Sequence, residues 1–125
     1  MTAFPPVALE ALRTVRTVEI ETSAGPGRRI HRAVVWIVVD GQERVLVRSV
    51  RGARGRWYRE LLSNPSGAVH VAGTRLPVVA ELASDAERVS SCSAALGAKY
   101  PTSRGSLAAM VAEDVLATTL ELKPA

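Results

Sequence analysis

The chain has 125 residues, 47% of them hydrophobic and 22% charged, which predicts a single globular domain spanning 1–125 and excludes two independent cores. A net charge of +4 and a pI near 10 favour an anionic partner, and no stretch approaches the roughly 20 apolar residues that a membrane span needs. The first residues lack the pattern of a secretory signal, and the single cysteine, Cys92, excludes an internal disulfide. We therefore expect a cytoplasmic protein.

The predicted elements, in chain order, are a helix, three strands, a helix, two strands, two helices and a strand. Helices are predicted from apolar spacing and end signals at 7–15, 56–63, 84–97 and 106–112. Strands are predicted from alternation or short continuous apolar runs at 17–22, 33–39, 44–50, 68–72, 76–82 and 115–122. Hairpin signals dominate and no βαβ repeat occurs, so we expect a mainly β (α+β) fold, six antiparallel strands curled into a barrel with short flanking helices.

Local signals refine two of the helices. In the helix at 56–63, the spacing places Trp57, Leu61 and Leu62 inward, and the Asn-Pro pair that follows would end the helix. Ser84, followed three residues later by Glu87, predicts a capping box at the start of the next helix.

Arginines concentrate in one segment, which also contains two glycines and no acidic residue. Its arginines are Arg48, Arg51, Arg54, Arg56 and Arg59. Gly52 and Gly55 would let the backbone turn tightly and expose N–H groups, and the start of the next helix would add its own amides. The segment therefore predicts a phosphate-binding loop. A solvated basic loop remains an alternative, whereas a nucleic-acid surface is disfavoured because only Trp57 and Tyr58 are available for base stacking.

The order of these motifs resembles a known family over about 19–82. A Gly-Pro-Gly-Arg-Arg turn precedes a long apolar strand and a glycine-marked hairpin, and a valine-rich strand then leads into Ser49. The basic loop, Trp57-Tyr58, a leucine-containing helix and Asn64-Pro65 follow. This arrangement resembles the split β-barrel flavin-binding superfamily, which includes pyridoxamine phosphate oxidases, and within it the deazaflavin-dependent nitroreductases of actinobacteria.

The resemblance implies a six-stranded split barrel, often dimeric, that binds FMN or the deazaflavin coenzyme F-420 and holds the phosphate in the loop after the third strand. The phosphate-binding segment of the family is matched here by Ser49, Arg51, Gly52, Arg54 and Trp57. The basic residue of the earlier turn is matched by Arg28 and Arg29. The loop is about two residues shorter than in the deazaflavin reductases, and the early turn ends in Arg-Arg rather than Ser-Gly.

Other residues complete the hypothesis of a homodimeric, hydride-transferring oxidoreductase. Trp36 and Trp57 would wall the cofactor ring, and His31, beside the basic turn, could contact the ligand. Cys92 is interpreted as a packing residue, and no residue spacing indicates a metal site. The arginines exceed what one phosphate can use, which predicts a preference for the more highly charged deazaflavin over FMN. A non-catalytic barrel that binds an anionic cofactor or metabolite is the alternative.

Overall fold

The computed structural model describes residues 3–125. The helices are α1 (Pro6–Thr14), α2 (Arg56–Ser63), α3 (Ala86–Lys99) and α4 (Arg104–Met110). The strands are β1 (Val18–Ser23), β2 (Ile30–Val35), β3 (Val38–Val39), β4 (Val45–Val47), β5 (Ser66–Val71), β6 (Thr74–Leu82) and β7 (Leu120–Pro124). Short 3-10 helices cover Gly52–Arg54 and Glu113–Thr118.

The strands form one antiparallel sheet in the order β2-β1-β5-β6-β7-β4-β3. The two strands at its edges, β2 and β3, follow one another in the chain and are separated only by Trp36 and Ile37. The sheet therefore curls until one stretch of chain joins its edges and closes a barrel. The predicted mainly β, antiparallel class is confirmed, but the predicted strand at 33–39 is divided, so the described chain has seven strands rather than six.

The division between β2 and β3 coincides with contacts from residues distant in the sequence. The carbonyl oxygen of Ile37 accepts hydrogen bonds from Nζ of Lys99 at 2.6 Å and from the hydroxyl of Tyr100 at 3.4 Å. The indole ring of Trp36 stacks on the ring of Tyr100, with centroids 3.8 Å apart. Side chains at the end of α3 thus bind the backbone carbonyl of Ile37 and pack against Trp36, where the strand is interrupted.

Two apolar clusters hold the helices to the sheet. The barrel interior contains Val45 and Val47 from β4 together with the inward residues of the other strands. Leu46, which points the opposite way, belongs to a second cluster beneath α3 and α4 that includes Cys92. Cys92 is fully buried, which agrees with its interpretation as a packing residue. Burial raises the pKa of its thiol to about 11.

Helix α2 has the predicted bounds, but two details of the helical predictions are wrong. Leu62 is 53% exposed, and Tyr58 is the aromatic residue that is buried with Leu61. Helix α3 is capped by Asp85 rather than Ser84, because the Asp85 carboxylate accepts the backbone N–H of Arg88 at 3.0 Å.

The C-terminal third also departs from the prediction. The last helix ends at Met110 instead of 112, and the predicted strand at 115–122 begins with a 3-10 helix. The hydroxyl of Thr118 donates to the carbonyl of Val115 at 2.7 Å, and this local bond favours the helical turn over the extended chain. Within residues 3–125, no helix combines the length and the apolar character that crossing a membrane requires.

Candidate functional site

The segment between β4 and α2 is a tightly built loop. The N–H of Gly52 donates to the carbonyl of Ser49 at 3.0 Å, and Gly52 has a φ of 65°, a conformation that favours glycine. The Ser49 hydroxyl, buried inside the loop, donates to the carbonyl of Gly52 at 2.8 Å. A Cβ on Gly55 would lie 2.5 Å from this hydroxyl oxygen, so the loop needs glycine there as well.

The outer surface of this loop carries unneutralised positive charge. Arg51, Arg54, Arg56 and Arg59 are exposed, and within the described part of the chain none of them lies within ion-pair distance of a carboxylate. Helix α2 begins beside them, and its first turn has neither a side-chain cap nor an acidic residue. The positive end of this helix and the arginines therefore face the same region.

Five arginines elsewhere in the described fold have acidic partners, namely Arg13, Arg32, Arg44, Arg75 and Arg88. Arg44 pairs with Asp40 and Glu87, and Arg75 pairs with Glu21. The four exposed arginines of the loop differ from these five in having no carboxylate partner among the described residues.

Two adjoining clefts open next to the loop. The inner cleft, of about 490 Å³, is lined by Thr17, Val34, Val35, Trp36, Arg48, Val50, Trp57, Gly105, Ser106, Ala109 and Met110. The outer cleft, of about 420 Å³, is lined by Ala33, Val34, Ser49, Val50, Arg51, Gly55, Arg56 and Trp57. They share Val34, Val50 and Trp57, so an elongated ligand can extend from the arginine loop into the inner cleft.

Both tryptophans of the chain line the inner cleft. Trp36 has one ring face covered by Tyr100, with 5° between the ring planes, so its half-buried indole is held in a fixed orientation. Trp57 stands on the first turn of α2 and is also half-buried. The inner cleft therefore presents two aromatic surfaces to a planar ligand.

Arg48 does not belong to the exposed loop. It is only 2% exposed, and its guanidinium donates to Thr119 Oγ1 at 2.9 Å and to the carbonyl oxygens of Met110 and Val89. A fourth bond goes to the hydroxyl of Ser93. Burial lowers the pKa of this guanidinium. The predicted cluster of five loop arginines is therefore four exposed arginines and one buried in the fold.

The structure does not bring Arg28 and Arg29 to the same place. Their turn is attached to the C-terminal end of α2, where the Ser63 hydroxyl donates to the carbonyl of Ala24 at 3.1 Å. The arginine loop lies at the opposite end of this eight-residue helix, which is about 12 Å long. Arg28 and Arg29 line neither cleft.

His31 also lies outside the two clefts. Its Nδ1 is 2.9 Å from a carboxylate oxygen of Glu60, and the Thr22 hydroxyl donates to the same carboxylate at 2.7 Å.

Of the predicted site residues, the structure groups Trp36, Ser49, Arg51 and Trp57 around the clefts, with Gly52 and Arg54 in the adjacent loop. Sequence reasoning missed the contribution of α4 and the inward direction of Arg48. The position of Arg48, two residues after Leu46 in an extended segment, is a signal for the latter.

The curled antiparallel sheet with its short flanking helices is a fold that several solved structures share, as the resemblance in the sequence predicted. HutZ, the heme storage protein from Vibrio cholerae, is 17% identical with a TM-score of 0.72, covering 99% of this chain and 92% of HutZ. An F420-H2-dependent reductase, FDR-A, is 14% identical with a TM-score of 0.63, covering 86% of this chain and 94% of the reductase. A protein from Listeria innocua assigned as a pyridoxamine 5′-phosphate oxidase is 14% identical with a TM-score of 0.62, covering 95% and 90% of the two chains.

By sequence, the chain belongs to the family described as "Uncharacterized protein conserved in bacteria (DUF2255)", whose profile matches residues 8–122. No curated protein sequence matches it. The structural neighbours share the fold with this chain, and they include both a redox enzyme and a heme storage protein.

Proposed function

We propose that the protein binds a flavin-type cofactor, FMN or the deazaflavin F-420, across the two clefts and acts as an oxidoreductase. The observation that carries this proposal is the continuity of a loop of unpaired arginines with a cleft walled by two tryptophans. A phosphorylated ligand with a planar ring has a part suited to each: a phosphate for the arginines and a ring for the tryptophans.

At the outer cleft, Arg51 and Arg56 supply the donors for a phosphate. Each charge-assisted hydrogen bond contributes on the order of 1.5–3 kcal/mol, and the uncapped start of α2 adds backbone N–H groups. Ser49 acts indirectly, because its hydroxyl is used to hold the loop through Gly52.

At the inner cleft, Trp36, Trp57 and the valines offer apolar surface to the ring, and the cleft volume falls within the usual range for ligand sites. When bound, the cofactor supplies hydride transfer. The residues of the chain position the ring and exclude water from it. Neither cleft, as formed by the described residues, is lined by a carboxylate, an imidazole or an amine.

The number of free arginines supports the deazaflavin over FMN. Arg51, Arg54, Arg56 and Arg59 exceed what one phosphate engages, and the acidic tail of the deazaflavin offers further negative charges. Such exposed pairs are screened over about 10 Å at 0.1 M salt. We therefore expect tighter binding of the deazaflavin than of FMN, with an advantage that decreases as salt rises.

A homodimer is part of the proposal. Val34 and Val50, which border both clefts, are 67% and 53% exposed, and Ile30 on the same strand as Val34 is 62% exposed. A second copy placed over these residues would cover them and deepen the site. One similar structure, 13% identical with a TM-score of 0.63, is described as a domain-swapped dimer.

The test is a titration with FMN and with the deazaflavin, followed by the fluorescence of Trp36 and Trp57. We expect Arg51→Ala and Arg54→Ala each to weaken binding by about tenfold, the loss of one charge-assisted bond, without lowering the melting temperature. Arg29→Ala is the matched control, since Arg29 is likewise exposed, has no carboxylate partner among the described residues and lines neither cleft. Unchanged affinity in both loop variants, or an equal loss in the control, would contradict the phosphate-loop assignment.

The second candidate is a non-catalytic protein that binds an anionic cofactor or metabolite. The lack of acid and base groups around the described clefts favours it, as does the fold shared with a heme storage protein. The two candidates differ in one measurement. An oxidoreductase accelerates reoxidation of the reduced cofactor by an acceptor such as menadione, whereas a binding protein leaves that rate unchanged.

A further inference from the structure

Arg48 contributes a positive charge to the lining of the inner cleft. It follows β4 directly, and it is the one charged side chain among the described residues that line this cleft. The remaining lining is apolar, aromatic or hydroxylic. The inner cleft therefore combines a low-dielectric wall with a cation.

The charge of Arg48 is not balanced by the protein. Its four hydrogen bonds go to two hydroxyl oxygens and two backbone carbonyls, all of them neutral. A guanidinium has five N–H groups, so one remains without an acceptor among residues 3–125. A buried cation that lacks an anionic partner is unfavourable by several kcal/mol relative to its state in water.

Other partly buried cations of the fold either pair with carboxylates or can lose their charge. Arg44 pairs with two carboxylates and Arg88 with three. Lys99 lacks a carboxylate, but burial lowers its pKa to about 8, so it can lose its charge. Arginine retains its charge throughout the physiological range, and Arg48 is the cation of this group that also lines a cleft.

We propose that the inner cleft, when no cofactor ring fills it, takes a small planar carboxylate, with its negative charge against Arg48 and its ring against Trp36 and Trp57. This inference rests on the proposed function only in using the same cleft. The carboxylate provides the anionic partner that Arg48 lacks among the described residues, and the two indole rings favour a planar ligand. A neutral analogue would leave the positive charge of Arg48 without an anionic partner and would therefore bind more weakly.

The probe is benzoate, compared with its neutral isostere benzamide, in the wild-type protein. Because both tryptophans of the chain lie at the cleft, their fluorescence reports binding without a label. We expect a Kd at least about tenfold lower for benzoate than for benzamide. Ala109→Phe, which fills the cleft from α4, should abolish the benzoate signal, whereas Ala108→Phe, on the same helix outside the cleft, should leave it intact.

Equal affinities for benzoate and benzamide would overturn the inference. Benzoate binding that survives Ala109→Phe but is lost in Arg51→Ala would also overturn it, because the anion would then lie at the outer loop. Because Arg48→Gln would remove hydrogen bonds that join α3, α4 and the turn before β7, the comparison of two ligands in the wild-type protein decides the matter. A protein that binds benzoate in this way but neither FMN nor the deazaflavin would support the role of Arg48 while contradicting the proposed function.

Discussion

Replacing Gly55 by alanine tests how the arginine loop is built. The new Cβ would lie 2.5 Å from Oγ of Ser49, about 0.9 Å inside ordinary contact. The backbone of Gly55, with φ of −60° and ψ of 132°, suits alanine, so the penalty is steric. Displacing the hydroxyl would weaken its bond to Gly52, which contributes about 0.5–1.5 kcal/mol, and overpacking adds about 1–3 kcal/mol.

The gain from a stiffer unfolded chain, about 0.4–1 kcal/mol, offsets part of this. We expect Gly55→Ala to lower the free energy of unfolding by about 1–3 kcal/mol, which corresponds to a fall in melting temperature of roughly 4 °C per kcal/mol. Thermal and urea melts measure both quantities. The displaced loop should also bind the cofactor more weakly.

Two variants control this experiment. Gly97→Ala, within α3, meets nothing within 4 Å and should stabilise the protein by up to about 1 kcal/mol. In the double variant Ser49→Ala/Gly55→Ala the obstructing oxygen is gone, so the destabilisation should be smaller than the sum of the two single effects. A Gly55→Ala protein as stable as the wild type, or strictly additive effects, would refute the reasoning.

Three further outcomes follow from the structure. Burial lowers the pKa of Lys99 from 10.5 to about 8 and so disfavours its charged form in the folded state. The free energy of unfolding of the wild type should therefore rise as the pH increases from about 8 to 10.5, and thermal melts of Lys99→Met should lack that rise. The guanidinium of Arg75, with a smaller contribution from His70, lowers the pKa of Glu21 from 4.5 to about 2. The stabilisation of the folded state by the ionised Glu21 is therefore present above pH 4.5 and is lost as the pH falls towards 2. Glu21→Gln should remove this part of the acid sensitivity. Light scattering should give the mass of a dimer, and a mass of 13.3 kDa would exclude one.

Local sequence signals identified most elements, because their causes are local. The helix at 56–63 and the hairpin that turns at Gly73, which has a φ of 76°, were found from apolar spacing and turn residues. The split of the strand at 33–39 was missed, since it depends on Lys99 and Tyr100 from the end of α3. Nothing in the run of apolar residues itself marks that contact.

The candidate site was predictable in composition but not in arrangement. The charge and glycines of the loop are visible in sequence, and so is the helix that follows. Arg48 could not be separated from its neighbours by charge, because its burial depends on oxygen atoms from α3, α4 and the turn before β7. Arg28 was assigned to the cofactor site through the family resemblance, whereas α2 holds its turn and the arginine loop at opposite ends.

The passage of the chain from β2 to β3 limits how far the site can open. Three peptide units join Val35 to Val38, so their Cα atoms can separate by at most about 11 Å. The inner cleft borders this tether through Val35 and Trp36. The end of β2 and the start of β3 therefore cannot separate widely at this point to admit a larger ligand. Helix α4, which contributes Gly105, Ser106 and Ala109 to the opposite lining, is not held by this tether, so a wider inner cleft would come from a displacement of α4 rather than from a separation of β2 and β3.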